Sequence, residues 1–362
     1  MDILLLATGT RGDVTPVITL GKHLKSQGHN VTIGTPPYLQ EIVKTSGLLW
    51  SKIGSMATAD FEALKRNTAK IPSIDEKSRH FVQGFSSYGL TEMFRDLTML
   101  ATKVDLVIGT PHVMPLLKHV YEDLEIDCIN LVHFLMGDIE VTKMPNIPTI
   151  FATSTQLTPS YSIPPDSQIV TGLWQQVSDS NLTPKIEHFV KMKPTIAFAF
   201  GSIDFLLTEE IIEYLQMLVK STKYNFIALG AWAAKFDWPK NVLVCEEFIP
   251  YSSLFPKLEA VITHGGMGTI SSALTSACPI AVCPLIGEQP YTAYLLNQSG
   301  LLVDLIHTKS APASLLEKLE NLDNMGIFTN DTSEPIDRTI AFITNQIKLR
   351  RENNERINCC NR

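Results

Sequence analysis

The sequence predicts an α/β protein built from two doubly wound domains that face each other across a cleft. Short apolar runs alternate with stretches of helical period along most of the 362 residues. Such alternation implies parallel strands joined by crossover helices. It lapses over the Pro- and Ser-rich stretch 158–165 (TPSYSIPP) and then restarts, as happens where two packed units meet. The length is also too great for one ordinary domain and suited to two. The expected division is 1–160, 161–340, and a terminal helix with tail at 341–362.

Taken in order, 3–7 reads as a buried first strand, followed by a Gly-rich turn and a helix over 16–26 that Gly28 ends. Further strands are expected at 31–35, 104–109, 126–131 and 149–152. Between 57 and 103 the pattern changes to amphipathic helices, with Phe61, Leu64, Phe81, Phe85, Tyr88, Met93, Phe94 and Leu97 among the apolar positions. Insertions of this kind often line a cleft, and core packing alone produces the same pattern. Beyond the boundary, strands are expected at 169–172, 195–200, 225–229, 242–245, 260–263 and 280–283. Helices should cover 209–222, 268–276, 291–299 and 311–322, and a last helix over 334–351 precedes the polar tail 353–362. Ligands of such sheets bind beyond the carboxyl ends of the strands.

Composition narrows the function classes. A hydrophobic share of 44% and a charged share of 19% are those of a globular chain. The net charge of -7 argues against a nucleic-acid partner. No apolar run is long enough to span a bilayer, and Asp2 stands where a signal peptide would carry Lys or Arg. The cysteines at 128, 245, 278, 283, 359 and 360 lack the paired spacing of a zinc site and mostly fall in apolar runs. They read as small buried hydrophobes in a reduced, cytoplasmic compartment.

Candidate chemistry concentrates where strands end. The stretch 263–269 (THGGMGT) follows an apolar strand and opens a helix. Gly265, Gly266 and Gly268 let the backbone approach a ligand, the helix start at Gly268 and Thr269 offers N–H groups to an anion, and His264 adds a donor. Tight strand-to-helix packing explains many such turns equally well. Glu288 and Gln289, within 284–291 (PLIGEQPY), suit sugar hydroxyls or the capping of the next helix. Phe200-Gly201-Ser202 offers a hydroxyl and an amide to a phosphate, or forms an ordinary turn. In the first half, 8–13 (TGTRGD) places Asp13 just before a helix. There it serves as an N-cap or, across the cleft from the phosphate site, as the base for an acceptor hydroxyl.

These motifs carry a resemblance. GTRGDVTPVITLGKHLKSQGHNV at 9–31 resembles the opening of sterol glucosyltransferases and of antibiotic (macrolide and glycopeptide) glycosyltransferases. These are UDP-glycosyltransferases of the GT-B type, with two Rossmann-like domains. THGGMGTISSAL and PLIGEQPYTAYLL, within 263–296, resemble their donor signature. VTGLW at 170–174, AFGSI at 199–203, LGAW at 229–232 and FIPYSSLFPKLEAVITHGG at 248–266 agree in order. The region 57–148 carries little of the pattern.

The resemblance implies an inverting transfer of a hexose, glucose above all, from a UDP-sugar to a hydroxyl of a sterol, lipid or aromatic acceptor. It implies Asp13 as general base, and His264, Gly266, Gly268 and Thr269 as the pyrophosphate cradle with Ser202 beside it. Trp232, Phe248 and Ile249 are implied around the nucleobase, and Glu288 and Gln289 on the donor sugar. Glu288 is one methylene longer than the family's usual Asp, and the first domain is shorter than usual. No Asp-x-Asp triplet occurs, so no metal or other cofactor is expected beside the UDP-sugar co-substrate. Phe81, Phe85 and Phe94 are expected to line an apolar acceptor groove opening toward Asp13; peripheral membrane contact is compatible with a lipid acceptor. Two other readings are a catalytically silent nucleotide-sugar-binding partner and a nicotinamide-dependent oxidoreductase. Asp13, His264 and Gln289 argue against the first. Against the second, Gly9 and Gly12 lack the companion glycine of a G-x-G-x-x-G turn.

Overall fold

The computed structural model describes residues 1–87, 89–134, 147–158, 167–174, 181–309, 311–322, 325–332 and 334–360, the side chains of 85–87 and 349–360 excepted. Two parallel sheets organise it. The first contains β1 (Asp2–Leu6), β2 (Asn30–Thr35), β3 (Leu49–Lys52), β4 (Leu106–Gly109), β5 (Cys128–Val132), β6 (Thr149–Phe151) and β7 (Gln168–Val170), in the order β3-β2-β1-β4-β5-β6-β7. The second contains β8 (Thr195–Ala199), β9 (Asn225–Leu229), β10 (Val242–Cys245), β11 (Ala260–Thr263), β12 (Ile280–Val282) and β13 (Leu302–Leu305), in the order β10-β9-β8-β11-β12-β13. The expected pair of doubly wound domains is therefore present.

Successive strand residues point to opposite faces, and both faces are covered. Ile3, Leu5 and Ala7 enter one core cluster while Leu4 and Leu6 enter another. In β8, Ala197 and Ala199 face one cluster, and Ile196 and Phe198 the other. Burial on both sides is why these strands read as continuous apolar runs. The two unexpected strands, β3 and β13, lie at sheet edges and carry exposed residues, with Leu49 at 65% exposure. An edge strand can form without such a run.

Other details also differ from expectation. The helix expected over 16–26 begins at Arg11 (Arg11–Ser26), so Pro16 lies inside it. The strand expected to open the second domain, β7, pairs parallel with β6 and extends the first sheet. Local sequence sets strand formation, whereas the partner is set by which edge is free. Most of the Pro- and Ser-rich stretch between them, 159–166, lies outside the described residues. The last helix runs over Pro335–Cys360, past the expected end at 351. It returns to the first domain, where Ile340 and Ile343 enter the core cluster of β1 and β2.

The insertion at 57–103 forms three helices, Thr58–Ala69, Ile74–Ser87 and Leu90–Ala101. Its middle helix bridges the halves. Lys77, 3% exposed, donates from Nζ to the carbonyl of Leu207 at 2.9 Å and to that of Phe205 at 3.5 Å. Phe81 packs on Phe205 with ring centroids 5.1 Å apart. Cys128, Cys278 and Cys283 are buried and Cys245 half-buried, all free, and burial pushes the Cys278 and Cys283 thiols up to about 12. Among the described residues no helix is long and apolar enough to cross a membrane.

Because Ile343 is 1% exposed, Ile343→Ala should lower stability by about 2–5 kcal/mol. Urea unfolding would read this as a lower midpoint at unchanged slope. A loss under about 1 kcal/mol would mean the last helix only rests on the domain.

Candidate active site

In the first sheet the chain lays β2 and β3 on one side of β1, then crosses back to place β4 on the other. Connections leaving β1 and β4 diverge, and a crevice opens between their carboxyl ends. The second sheet reverses in the same way between β8 and β11. The turns after these four strands line one cavity of about 910 Å³ between the domains, a size suited to small-molecule ligands.

Asp13 stands at the first reversal. Thr10, not Asp13, caps the helix: Thr10 Oγ1 accepts from the Gly12 N–H at 3.3 Å. Asp13 Oδ2 in turn accepts from the Thr10 N–H at 2.6 Å and from Thr10 Oγ1 at 3.1 Å, the reciprocal pair of a capping box. Gly9, at φ +111°, sits so close that a Cβ there would overlap Asp13 Oδ2. The other oxygen, Oδ1, is 3.6 Å from both His112 Nδ1 and His133 Nε2, within ion-pair range and too long for a hydrogen bond. Burial alone would raise the pKa of Asp13. The two histidines and the Thr10 N–H outweigh it and hold the carboxyl at about 2. His112 follows β4 and His133 follows β5; His133 is 7% exposed, with neither ring nitrogen hydrogen-bonded among the described residues. Neither histidine stands out in the sequence. Their one signal is a His just past an apolar run, which gains meaning only from the strand order.

The second reversal carries the glycine turn. The helix Met267–Thr275 begins with Gly266 at its N-cap and no side-chain cap, leaving its first amides to a ligand. Gly266 has an ordinary φ of −67°, and a Cβ there would overlap His264 Nε2. The glycine makes room for the ring. Burial lowers the pKa of His264 to about 4, against a hydrogen bond to the Ala199 backbone. The imidazole is therefore a neutral donor rather than a cation. Ser202, Gly268 and Thr269 line the same cavity, as do Ile249 and the 64% exposed Phe248. Gln289 also lines it, and its Oε1 accepts from the Leu285 and Ile286 amides at 2.8 and 3.0 Å. Glu288 begins the next helix without capping it. Burial raises its pKa, and the charge of Asp13 across the cleft raises it further.

Two expected residues are placed differently. Trp232 is 5% exposed in the second-domain core, its Nε1 donating to the Leu229 carbonyl at 2.9 Å, and it does not line the cavity. Phe94 packs edge-on against His119 with centroids 5.4 Å apart. On the helix Leu90–Ala101 the cavity wall falls to Leu90 and Met93, and Phe94 is turned about 100° from Met93. Phe81 does line the cavity, whereas the side chain of Phe85, like all of Tyr88, lies outside the described residues.

His264 gives the site a pH signature. Its folded pKa of about 4 lies below the ordinary 6.5, so its contribution is complete above the ordinary value and lost as pH falls toward the folded one. Between about pH 7 and pH 5 the native chain should lose about 2 kcal/mol more stability than His264→Gln. Denaturant titrations at both pH values measure the difference. Equal losses would place the imidazole in water.

Residues 3–104 match the glycosyltransferase family 28 N-terminal domain, and residues 150–332 match the UDP-glucoronosyl and UDP-glucosyl transferase family. A sterol 3-beta-glucosyltransferase of Arabidopsis thaliana is 22% identical over 83% of this chain, and one of Saccharomyces cerevisiae is 23% identical over 83%. The chain spans only 57% and 31% of the length of these two relatives. Among solved structures, the calicheamicin glycosyltransferase CalG4 (TM-score 0.66, 16% identity) is matched over 94% of this chain and 92% of its own. The spinosyn forosaminyltransferase SpnP (TM-score 0.67, 15% identity) is matched over 96% and 95%. These likenesses establish the GT-B fold. With one family model covering half its residues and a second covering the strand–turn–helix that holds Asp13, the chain belongs to the UDP-glucoronosyl and UDP-glucosyl transferase family.

Proposed function

We propose that this chain is a glycosyltransferase that moves a hexose, glucose above all, from UDP to the hydroxyl of an apolar acceptor, with inversion and without a metal. One observation carries the reading. Asp13 and the helix start at Gly268 line a single cavity from opposite domains. Between them lies an apolar wall that includes Phe81, Val82, Leu90, Met93 and Phe134. The names of the sterol glucosyltransferase relatives favour a sterol or similar lipid alcohol. In this reading 1–160 holds the acceptor and 161–340 the nucleotide sugar. The enzyme works in the cytoplasm, in peripheral contact with a membrane where the acceptor is a lipid.

The step is a single displacement. The acceptor oxygen forms a bond to the anomeric carbon as the bond to the diphosphate oxygen breaks. The electron pair leaves with UDP, and the hydroxyl proton passes to Asp13 Oδ1. A carboxyl held at about 2 is a weak base toward a resting alcohol. As the new bond forms, the attacking oxygen becomes oxonium-like and far more acidic, so late proton transfer matches this carboxylate. The helix start and the neutral donor His264 meet the leaving charge, and Ser202, Glu288 and Gln289 orient the donor.

Incubation with UDP-glucose and a panel of sterols, phenolics and free sugars tests the reading, with product anomeric configuration read by NMR. Transfer to an apolar alcohol with inversion is expected; efficient use of free sugars alone would overturn the acceptor class. Asp13→Asn should lower turnover on the order of a hundred- to ten-thousand-fold while calorimetric UDP affinity stays near native. Near-native turnover would reduce Asp13 to a capping residue. Activity should also persist in excess EDTA, and a loss restored by magnesium would overturn the metal-free step.

A further inference from the structure

The cleft is poor in positive charge. Among the described residues that line it, Arg11 is the single lysine or arginine, against the carboxylates of Asp13, Glu246, Glu247 and Glu288. The second domain brings a neutral His264 and a helix start to the glycine turn. A helix start offers only about half a charge, whereas a departing nucleoside diphosphate gains a full one. Among the described residues the second domain therefore brings no formal cation to where that charge develops.

Arg11 is placed to supply it. It is the first residue of the helix Arg11–Ser26, on the first-domain side. Its guanidinium lies over the Phe248 ring, 4.9 Å from the centroid. Phe248 belongs to the second domain, so the contact already spans the cleft. An aromatic face holds a guanidinium in position without neutralising it or occupying its N–H groups. Arg11 makes no side-chain hydrogen bond or ion pair among the described residues. Its charge also reaches Tyr251, the hydroxyl partner of Thr269 in the first turn of the helix Met267–Thr275.

We propose that Arg11 binds the donor diphosphate from the acceptor side of the cleft and offsets the charge of the leaving group. The inference rests on reading the cleft as a nucleotide-sugar site. The cation and the helix start belong to different domains, so the diphosphate links the two, and release of UDP requires Arg11 to let go. Its planar fork can hold two phosphate oxygens at once, which a lysine cannot.

Calorimetric titration of the full chain with UDP and with uridine tests this, using native protein, Arg11→Met and Arg11→Lys. Arg11→Met should weaken UDP on the order of ten- to a hundred-fold, leave uridine affinity unchanged, and flatten the salt dependence of UDP binding. It should lower kcat as well, with an unchanged melting temperature. Arg11→Lys should keep the salt dependence and recover part of the affinity. If Arg11→Met binds UDP as the native chain does, or loses uridine to the same degree, Arg11 merely packs on Phe248 and the inference is overturned. Failure of the native chain itself to bind UDP would overturn the donor reading together with this one.

Discussion

Parallel pairing is the constraint on which everything else depends. Parallel strands deliver their chain ends to one rim, and each connection must travel over a face to return. Where the order reverses, between β1 and β4 and again between β8 and β11, two departing connections move apart and no backbone fills the gap. Several groups of the candidate site sit beside these gaps, while His133 after β5 and Gln289 after β12 stand one strand further out. Asp13 and His112 flank the first, and Ser202, His264 and Gly266 the second. The fold supplies two crevices, and the packing of the domains makes them one cavity.

Within it, structural and chemical duties divide at single atoms. Asp13 Oδ2 is committed to Thr10, which ties the carboxylate to the helix start, and Oδ1 stands 3.6 Å from His112 and His133, which line the cavity with it. The arrangement needs a residue without Cβ at position 9, since any side chain there would displace the carboxylate. His264 follows the same logic, because its ring occupies the space that Gly266 leaves empty. These glycines are explained by the side chains lying against them, and only one also by its φ.

The helical insertion joins the two halves. Lys77 and Phe81 fasten it to the segment Phe205–Leu207, which follows the Ser202 turn. The apolar wall of the cavity is thus carried by the first domain and anchored to the second. In the proposed reaction this would couple acceptor placement to the donor side through packed, buried groups.

Continuous apolar runs marked the buried strands in advance, because burial on both faces removes polar alternation; β9 and β11 fall where the pattern placed them, and so does the apolar edge strand β10. The glycine turn at 263–269 was legible for the same local reason, since a strand, a turn and a helix follow within one short stretch. The edge strands β3 and β13, each with exposed residues, were not legible, nor was the sheet that β7 would join, because an edge is defined by its neighbour. The site divides likewise. Asp13, His264 and Gln289 announce themselves through motifs. His112 and His133 acquire significance only when β4 and β5 are laid beside β1, and Trp232 and Phe94 lose theirs when packing turns them into cores. Sequence alone determined which segments are strands, turns and helix starts, since those depend on neighbouring residues. Only the tertiary structure decided which side chains share the cavity and which charges oppose each other, since those depend on strand order and on two domains meeting.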